Sequence, residues 1–339
     1  MRIVVAPDSF KECLSSVRVA EVVASALKER FPEAEILSLP LADGGEGTAG
    51  VLTRALRGQI RSCEVTGPLG LPVVARYGIA GDTAIIESAE ACGLQLLKPQ
   101  DRNPLLTTTR GVGELLLSLR GFRKLLICLG GTSTCDGGEG MMEVPGLADA
   151  MKGVEITVLS DVDNPFVGPK GAARVFAPQK GASPADVEVL EARMIRVAER
   201  ILHETGTDVS ALPGAGAAGG LGGALMAWFG AKMVRGIDAV LDALRFDEAI
   251  DGASRVITGE GRSDAQTLSG KVPYGVLRRC EGRVPVVLLS GRIEDEAALR
   301  AAGFSTLVEV TPRDLPLSEA LRPSVAAANL RLAVSRLPF

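Results

Sequence analysis

Histidine is almost absent from this 339-residue chain: one occurs, His203, in the stretch RILHETG. A zinc site built on two or three imidazoles is thereby excluded, as is most histidine-based acid–base chemistry. His203 falls near the end of an amphipathic helical pattern, where a cation suits the helix dipole, so a structural role accounts for it. Runs of basic residues are missing as well. No more than two Lys or Arg stand together, and the net charge is −4 with a pI near 5.4. Nucleic acid and anionic membranes are therefore not expected partners. Long apolar runs are absent; the longest, 221–231, is short for a bilayer and broken by glycines. The start, MRIVVAPDS, has few apolar residues before Pro7 and Asp8 and reads as a strand rather than a signal peptide. Six cysteines (13, 63, 92, 128, 135, 280) form no CxxC pair, a scatter expected of reduced thiols in a cytoplasmic protein.

Chemistry must then come from Asp, Glu, Lys, Arg, hydroxyls and backbone amides. Glycine is plentiful at 40 residues, and it is placed pointedly. DGGEG occupies 43–47 and returns at 136–140, and a related cluster, TGEGRSDAQT, begins at Thr258. A tight turn explains one Asp and one Gly, not the pentapeptide's return. Glycines let amides converge on an anion, and carboxylates hold a hard cation, a pairing that suits a nucleotide phosphate with Mg²⁺.

The length favours two domains, and 46% hydrophobic with 23% charged residues is globular. RIVVAPDS, VRVAEVVASALKER and EILSLPLADGG read as strand, helix and strand, the βαβ order of a parallel sheet. APDSFK and LADGGEGT then fall at carboxyl ends of strands, where such sheets bind ligands. From about residue 60 to Ser88, short strands separated by Gly-containing turns predict an antiparallel meander. Ser183 as N-cap and Pro184 after it open a well-marked helix, and ASRVITGEG, VPVVLLSG and FSTLVEV restore the parallel pattern. The expected fold is α/β: a doubly wound parallel sheet made of 1–58 with 247–339, and a second α/β domain, 59–246, inserted into it.

Several clusters are candidate sites. Gly130, Gly131, Thr132 and Ser133 follow a strand and lead to Asp136 and Gly137; small hydroxyls and amides suit phosphate, although an ordinary loop has the same composition. Gly214-x-Gly216-x-x-Gly219, followed by Gly220, matches the dinucleotide pattern out of context, since no strand precedes it. It reads as a glycine-rich helix N-terminus offering amides to an anion, with close helix packing as the alternative. Asp161 and Asp163 share one side of a strand end, as a metal site, a base or a solvated turn. Glu260, Arg262 and Asp264 follow a buried strand, and Arg suits bidentate contact with an anion. Lys271, in SGKVP, lacks the glycine and hydroxyl neighbours of a P-loop, and the protein-kinase signatures are absent.

VVAPDSFKECLSS, LADGGEGT, VTGPLG, RNPLLTTTRGVGEL, GGTSTCDGGEGM, SDVDNPFVGPKGAARVFAPQKGA, PGAGAAGGLGGAL and TGEGRSDAQTLSGK together closely resemble the type-1 glycerate kinases, in the family's order, from residue 1 to about 291. The resemblance implies phosphorylation of D-glycerate by ATP with Mg²⁺, in the cytoplasm, by direct in-line transfer in an interdomain cleft. It further implies a flavodoxin-like domain with an unlike α/β domain inserted. The product expected is phosphoglycerate, with 2-phosphoglycerate favoured; oligomeric state stays open, a homodimer included. On that footing Asp43, Lys11, Asp161 and Arg262 are the expected catalytic residues, and Asp43 and Asp161 either hold Mg²⁺ or orient the acceptor hydroxyl. Asp8, Ser9, Glu46 and Asp264 are expected at the substrate, and the glycine loops at 130–137 and 214–220, with Thr132, Ser133 and Asp136, at the ATP phosphates. Two departures stand out. Cys135 replaces the family's usual Asn, and the thirty to forty residues that normally follow DGGEGMM are missing after residue 142. A sugar-acid binder without activity is the alternative; a nicotinamide-dependent hydroxy-acid dehydrogenase is a weaker one.

Overall fold

The structure is a computed structural model that describes residues 1–338. Arg2–Val5 (β1) is an apolar strand buried from Ile3 onward. Helix Ser16–Arg30 follows: Ser15 caps it by accepting from the Arg18 amide at 3.3 Å, and Lys28 and Arg30 sit in its last turn, as the helix dipole favours. Its buried side chains, Val19, Val22, Val23, Ala26 and Leu27, recur at helical spacing. They pack on Ile3 and Val5, completing a βα unit that leads to Glu35–Ser38 (β2).

The chain then builds a different sheet from Gln59–Thr66 (β3), Pro72–Ala80 (β4), Thr83–Glu87 (β5), Lys124–Cys128 (β6), Glu155–Leu159 (β7) and Lys232–Val234 (β8). The sheet runs β3-β4-β5-β6-β7-β8. Its β3–β5 part is the antiparallel meander expected from the turn signals, and β5 through β8 are parallel. The long helix Pro184–Thr205 opens as read, on a Ser183 cap that is reciprocated by Asp186.

Arg255–Ser263 (β9), Val286–Ile293 (β10) and Thr306–Glu309 (β11) return to the first sheet, whose order is β11-β10-β9-β1-β2, all parallel. Counted within this sheet the order is 2-1-3-4-5, the flavodoxin-like winding, with its switch point between β1 and β9.

Two compact units result: Met1–Asp43 together with the chain from Ile237 onward, and Gly44–Gly236. The expectation drew the borders at 58/59 and 246/247. The first border lies earlier because helix Thr48–Ala55 packs on β4 and β5 of the second sheet, and the Ala49 amide donates to Glu87 Oε1 at 2.8 Å. Among the described residues no helix is long and apolar enough to cross a membrane.

Candidate active site

In the first unit a cavity of about 610 Å³ opens at the β1/β9 switch point. Parallel strands end there with their side chains and amides turned outward, so ligand-binding residues collect at one edge. Asp8, Ser9 and Lys11 come from the loop after β1, Asp43 from the loop after β2, and Glu260 and Arg262 from the end of β9. The sequence separates these residues by more than two hundred positions; the sheet brings them into one cavity. A second wall is apolar, with Phe10, Val310, Leu315 and Leu321.

Asp8 is held firmly. Its amide donates to the Gly259 carbonyl at 2.8 Å, and Oδ1 accepts from the Ser9 amide at 2.6 Å. Burial pushes its carboxyl up to about 7, and the nearby Asp43 charge adds to the rise; the Ser9 amide and Lys11 oppose it. Lys11 projects from a tight turn closed by reciprocal backbone bonds between Phe10 and Leu14, each 2.8 Å. In that turn Glu12 takes the left-handed conformation, at φ 63°.

Glu260 is also buried. Its Oε1 accepts from the Thr267 hydroxyl at 2.6 Å and the Ser263 hydroxyl at 2.9 Å, and its Oε2 lies 3.6 Å from Lys271 Nζ. Burial raises this carboxyl as well, against the pull of those partners. Arg262, expected at the reacting groups, turns to neighbouring carboxylates: Nη2 pairs with Glu294, just after β10, at 2.7 Å and Nε lies 3.5 Å from Asp264, just after β9. Asp264 itself caps the turn Ala265–Ser269, accepting from the Gln266 amide at 2.9 Å.

The second unit treats its glycine clusters differently. Thr132, Ser133, Thr134 and Asp136 are all buried. Asp136 Oδ2 accepts from the Thr109 amide (2.8 Å), the Thr109 hydroxyl (2.9 Å) and the Gly140 amide (3.3 Å), and Oδ1 accepts from the Gly138 amide at 3.2 Å. Expected at phosphate, this carboxylate is an internal brace. The amides of Gly130, Ser133 and Gly137 donate to the carbonyls of Gly44, Cys92 and Gly219. A Cβ on Gly130 would collide with Gly45, so glycine there serves close approach of two loops.

The same holds at 214–220. The amides of Gly216 and Gly220 donate to Asn164 and Gly216 carbonyls, and a Cβ on Gly219 would strike the Thr134 carbonyl. The packing alternative describes these glycines, Gly214 included, whose Cβ would meet Met233. Asp161 Oδ1 accepts from the Gly236 amide at 3.1 Å and lies 4.0 Å from Arg235 Nε. Glu46 is exposed.

One charged residue, Lys180, escaped the sequence reading, and two others were seen without their role. Lys180 is fully buried, its Nζ donating to the Thr134 carbonyl at 2.7 Å and to Thr132 Oγ1 at 3.2 Å; burial lowers its affinity for its proton. Glu260 was noticed without a role, and Lys271 was weighed only as a P-loop lysine. A carboxylate at the end of a run as apolar as RVIT was the available signal for Glu260. Nothing in APQKGA distinguishes Lys180 from a surface lysine.

Comparison with known proteins agrees with the geometry. A profile of the glycerate kinase family matches residues 3–148 and 142–337. The chain is 42% identical to glycerate kinase from Bacillus subtilis (strain 168), over 94% of this chain and 93% of that one. It is 41% identical to glycerate 2-kinase from Escherichia coli (strain K12), over 95% and 93% respectively. The crystal structure of a candidate glycerate kinase 2 from Salmonella typhimurium LT2 superposes with a TM-score of 0.84 at 40% identity, covering 99% of this chain and 96% of that one. The profile's two matched stretches overlap at residues 142–148, the region where the sequence departs from the family pattern as read above. With its profile matched nearly end to end, this chain belongs to the glycerate kinase family.

Proposed function

We propose that this protein phosphorylates D-glycerate with ATP, and that the reacting groups meet in the cavity at the β1/β9 switch point. The observation that carries the reading is the crowding of Asp8 and Asp43 in that cavity, opposite Lys11. Phosphoryl transfer asks a protein for positioning and charge neutralisation rather than covalent chemistry, which suits a chain with one histidine. Asp43 accepts the proton of the acceptor hydroxyl or orients it. Lys11 balances the charge of the transferring group, and Asp8 and Ser9 shape the acceptor's seat.

Mg²⁺ fits this donor set. Two hard carboxylates, Asp8 and Asp43, share one cavity, and oxygen donors of this kind suit a hard cation. Asp43 would hold the ion as expected, with Asp8, which lines the same cavity, in place of the expected Asp161, whose Oδ1 accepts from the Gly236 amide; the ion would supply neutralisation of phosphate oxygens. Transfer to the 2-hydroxyl, giving 2-phosphoglycerate, is the product proposed.

Phosphorus NMR of a reaction of the purified protein with ATP, Mg²⁺ and D-glycerate tests all of this. A 2-phosphoglycerate resonance is expected. A 3-phosphoglycerate resonance would correct the regiochemistry alone. A folded protein that binds glycerate and forms no phosphoester would replace the kinase reading with that of a binder.

A further inference from the structure

We propose that Lys271 binds the carboxylate of the acceptor substrate and that Glu260 positions it there, an inference that rests on the glycerate kinase reading and deepens it. Glycerate carries a single charge, on its carboxylate, and a site selective for it over neutral polyols needs a fixed cation. Four cations face the cavity: Lys11, Arg262, Lys271 and Arg292. Arg262 and Arg292 are engaged at full ion-pair distance, with Glu294 at 2.7 Å and Glu309 at 3.0 Å. Lys11 is exposed on its turn.

Lys271 is arranged differently. Its Nζ stands 3.6 Å from Glu260 Oε2, longer than the 2.7–2.9 Å typical of a charged hydrogen bond, so the ammonium is aimed without being saturated. An ammonium has three protons to donate, and one carboxylate oxygen takes at most part of that capacity. Glu260 cannot swing away, because its other oxygen is fixed by the Ser263 and Thr267 hydroxyls inside a buried pocket. Lys271 is also the N-cap residue of the nine-residue helix Val272–Cys280 and so stands at the positive end of its dipole. Side-chain exposure of 35% for Lys271 against 6% for Glu260 separates the two roles: one group reaches the cavity, and the other stays behind it.

Steady-state kinetics of the whole protein decides the matter. Lys271→Met is expected to raise the KM for glycerate about 100-fold while the KM for ATP moves less than about threefold, and Lys271→Arg to recover most of the loss. Glu260→Gln should raise the glycerate KM about tenfold, and the double variant should be no worse than Lys271→Met, since positioning is worthless without the positioned group. Thermal unfolding of each variant checks that the fold survives, and the Arg variant, which keeps the charge, carries the test if the Met variant does not fold. An unchanged glycerate KM in Lys271→Met, a rise confined to ATP, or fully additive losses in the double variant would each overturn the proposal. Wild-type protein that forms no phosphoglycerate would instead overturn the functional reading on which it stands.

Discussion

The pentapeptide DGGEG occurs twice, and its two aspartates have opposite fates. Asp43 lines an open cavity in company with a second carboxylate, Asp8. Asp136 is wholly buried, with four hydrogen bonds from amides and a hydroxyl. The backbones share a left-handed second letter, Gly44 and Gly137, and diverge from the third: the remaining left-handed glycine is Gly47 in one copy and Gly138 in the other. The glutamates invert the contrast, since Glu46 is exposed while Glu139 pairs with Arg193 at 3.1 Å. Identical letters therefore specify a flexible choice, and the surrounding donors decide it. Where Thr109 and two further amides are at hand the carboxylate becomes a brace; the other copy's carboxylate lines a cavity beside Asp8.

The sharpest way to break this contrast is to remove each aspartate. Asp136→Ala would strand three amides and a hydroxyl in the interior and is expected to cost about 3–5 kcal/mol, enough to unfold much of the protein. Denaturant titration measures it; a loss under about 1 kcal/mol would refute the brace. Asp43→Asn should leave the unfolding midpoint nearly unchanged and lower kcat at least about a hundredfold. A drop of less than tenfold would remove Asp43 from the chemistry. Because the Asp43 charge helps to hold Asp8 up near 7, carbon NMR should also show Asp8 titrating lower in this variant.

Asp8 sharpens the comparison through pH. Its folded-state value of about 7 lies above the ordinary 3.8, so between those pH values the folded chain keeps a proton that the unfolded chain has released. Stability from this group is thus complete below pH 3.8, falls as pH rises toward 7, and is lacking above it. Asp8→Asn in metal-free buffer should accordingly be more stable than wild type by roughly 2 kcal/mol at pH 8 and no more stable at pH 4, while losing activity. Equal stability at pH 8 would show that Asp8 carries no such burden. A functional carboxylate held against its own electrostatics is the reverse of Asp136, which the fold stabilises.

Much of this was legible beforehand. The strands RIVV, RVIT and VVLL announce themselves by apolar run length, and APDS after β1 and LADGG after β2 fall at the carboxyl ends where a parallel sheet exposes ligand groups. Pattern also gave the meander of β3–β5 and the capped helix at Ser183. What could not be read was which polar residues the tertiary structure would swallow. Thr132, Ser133 and Asp136 look like a phosphate loop because hydroxyls, glycines and a carboxylate are written alike whether they meet a ligand or each other. Lys180 looks like a surface lysine because its burial depends on a loop forty-odd residues earlier closing over it. Lys271 and Glu260 stand eleven positions apart across a turn, a spacing without a helical or strand period to link them.

The smallest effect concerns the two glutamates, and it separates the copies once more. Glu46 is exposed, and its charge raises the Glu87 carboxyl only as the last and weakest of the causes acting there. Glu46→Gln should therefore leave stability unchanged and alter the glycerate KM less than about threefold, although the sequence placed this residue at the substrate. Glu139→Gln should cost about 0.5–1 kcal/mol, because Glu139 is three-quarters buried at 25% exposure and answers both Arg193 and Arg200, at 3.1 and 3.7 Å. Turnover should be untouched in both variants. A tenfold rise in the glycerate KM for Glu46→Gln would mean that the first copy presents both of its carboxylates to the substrate, and the division between a working copy and a bracing copy would then run through whole pentapeptides instead of through their aspartates alone.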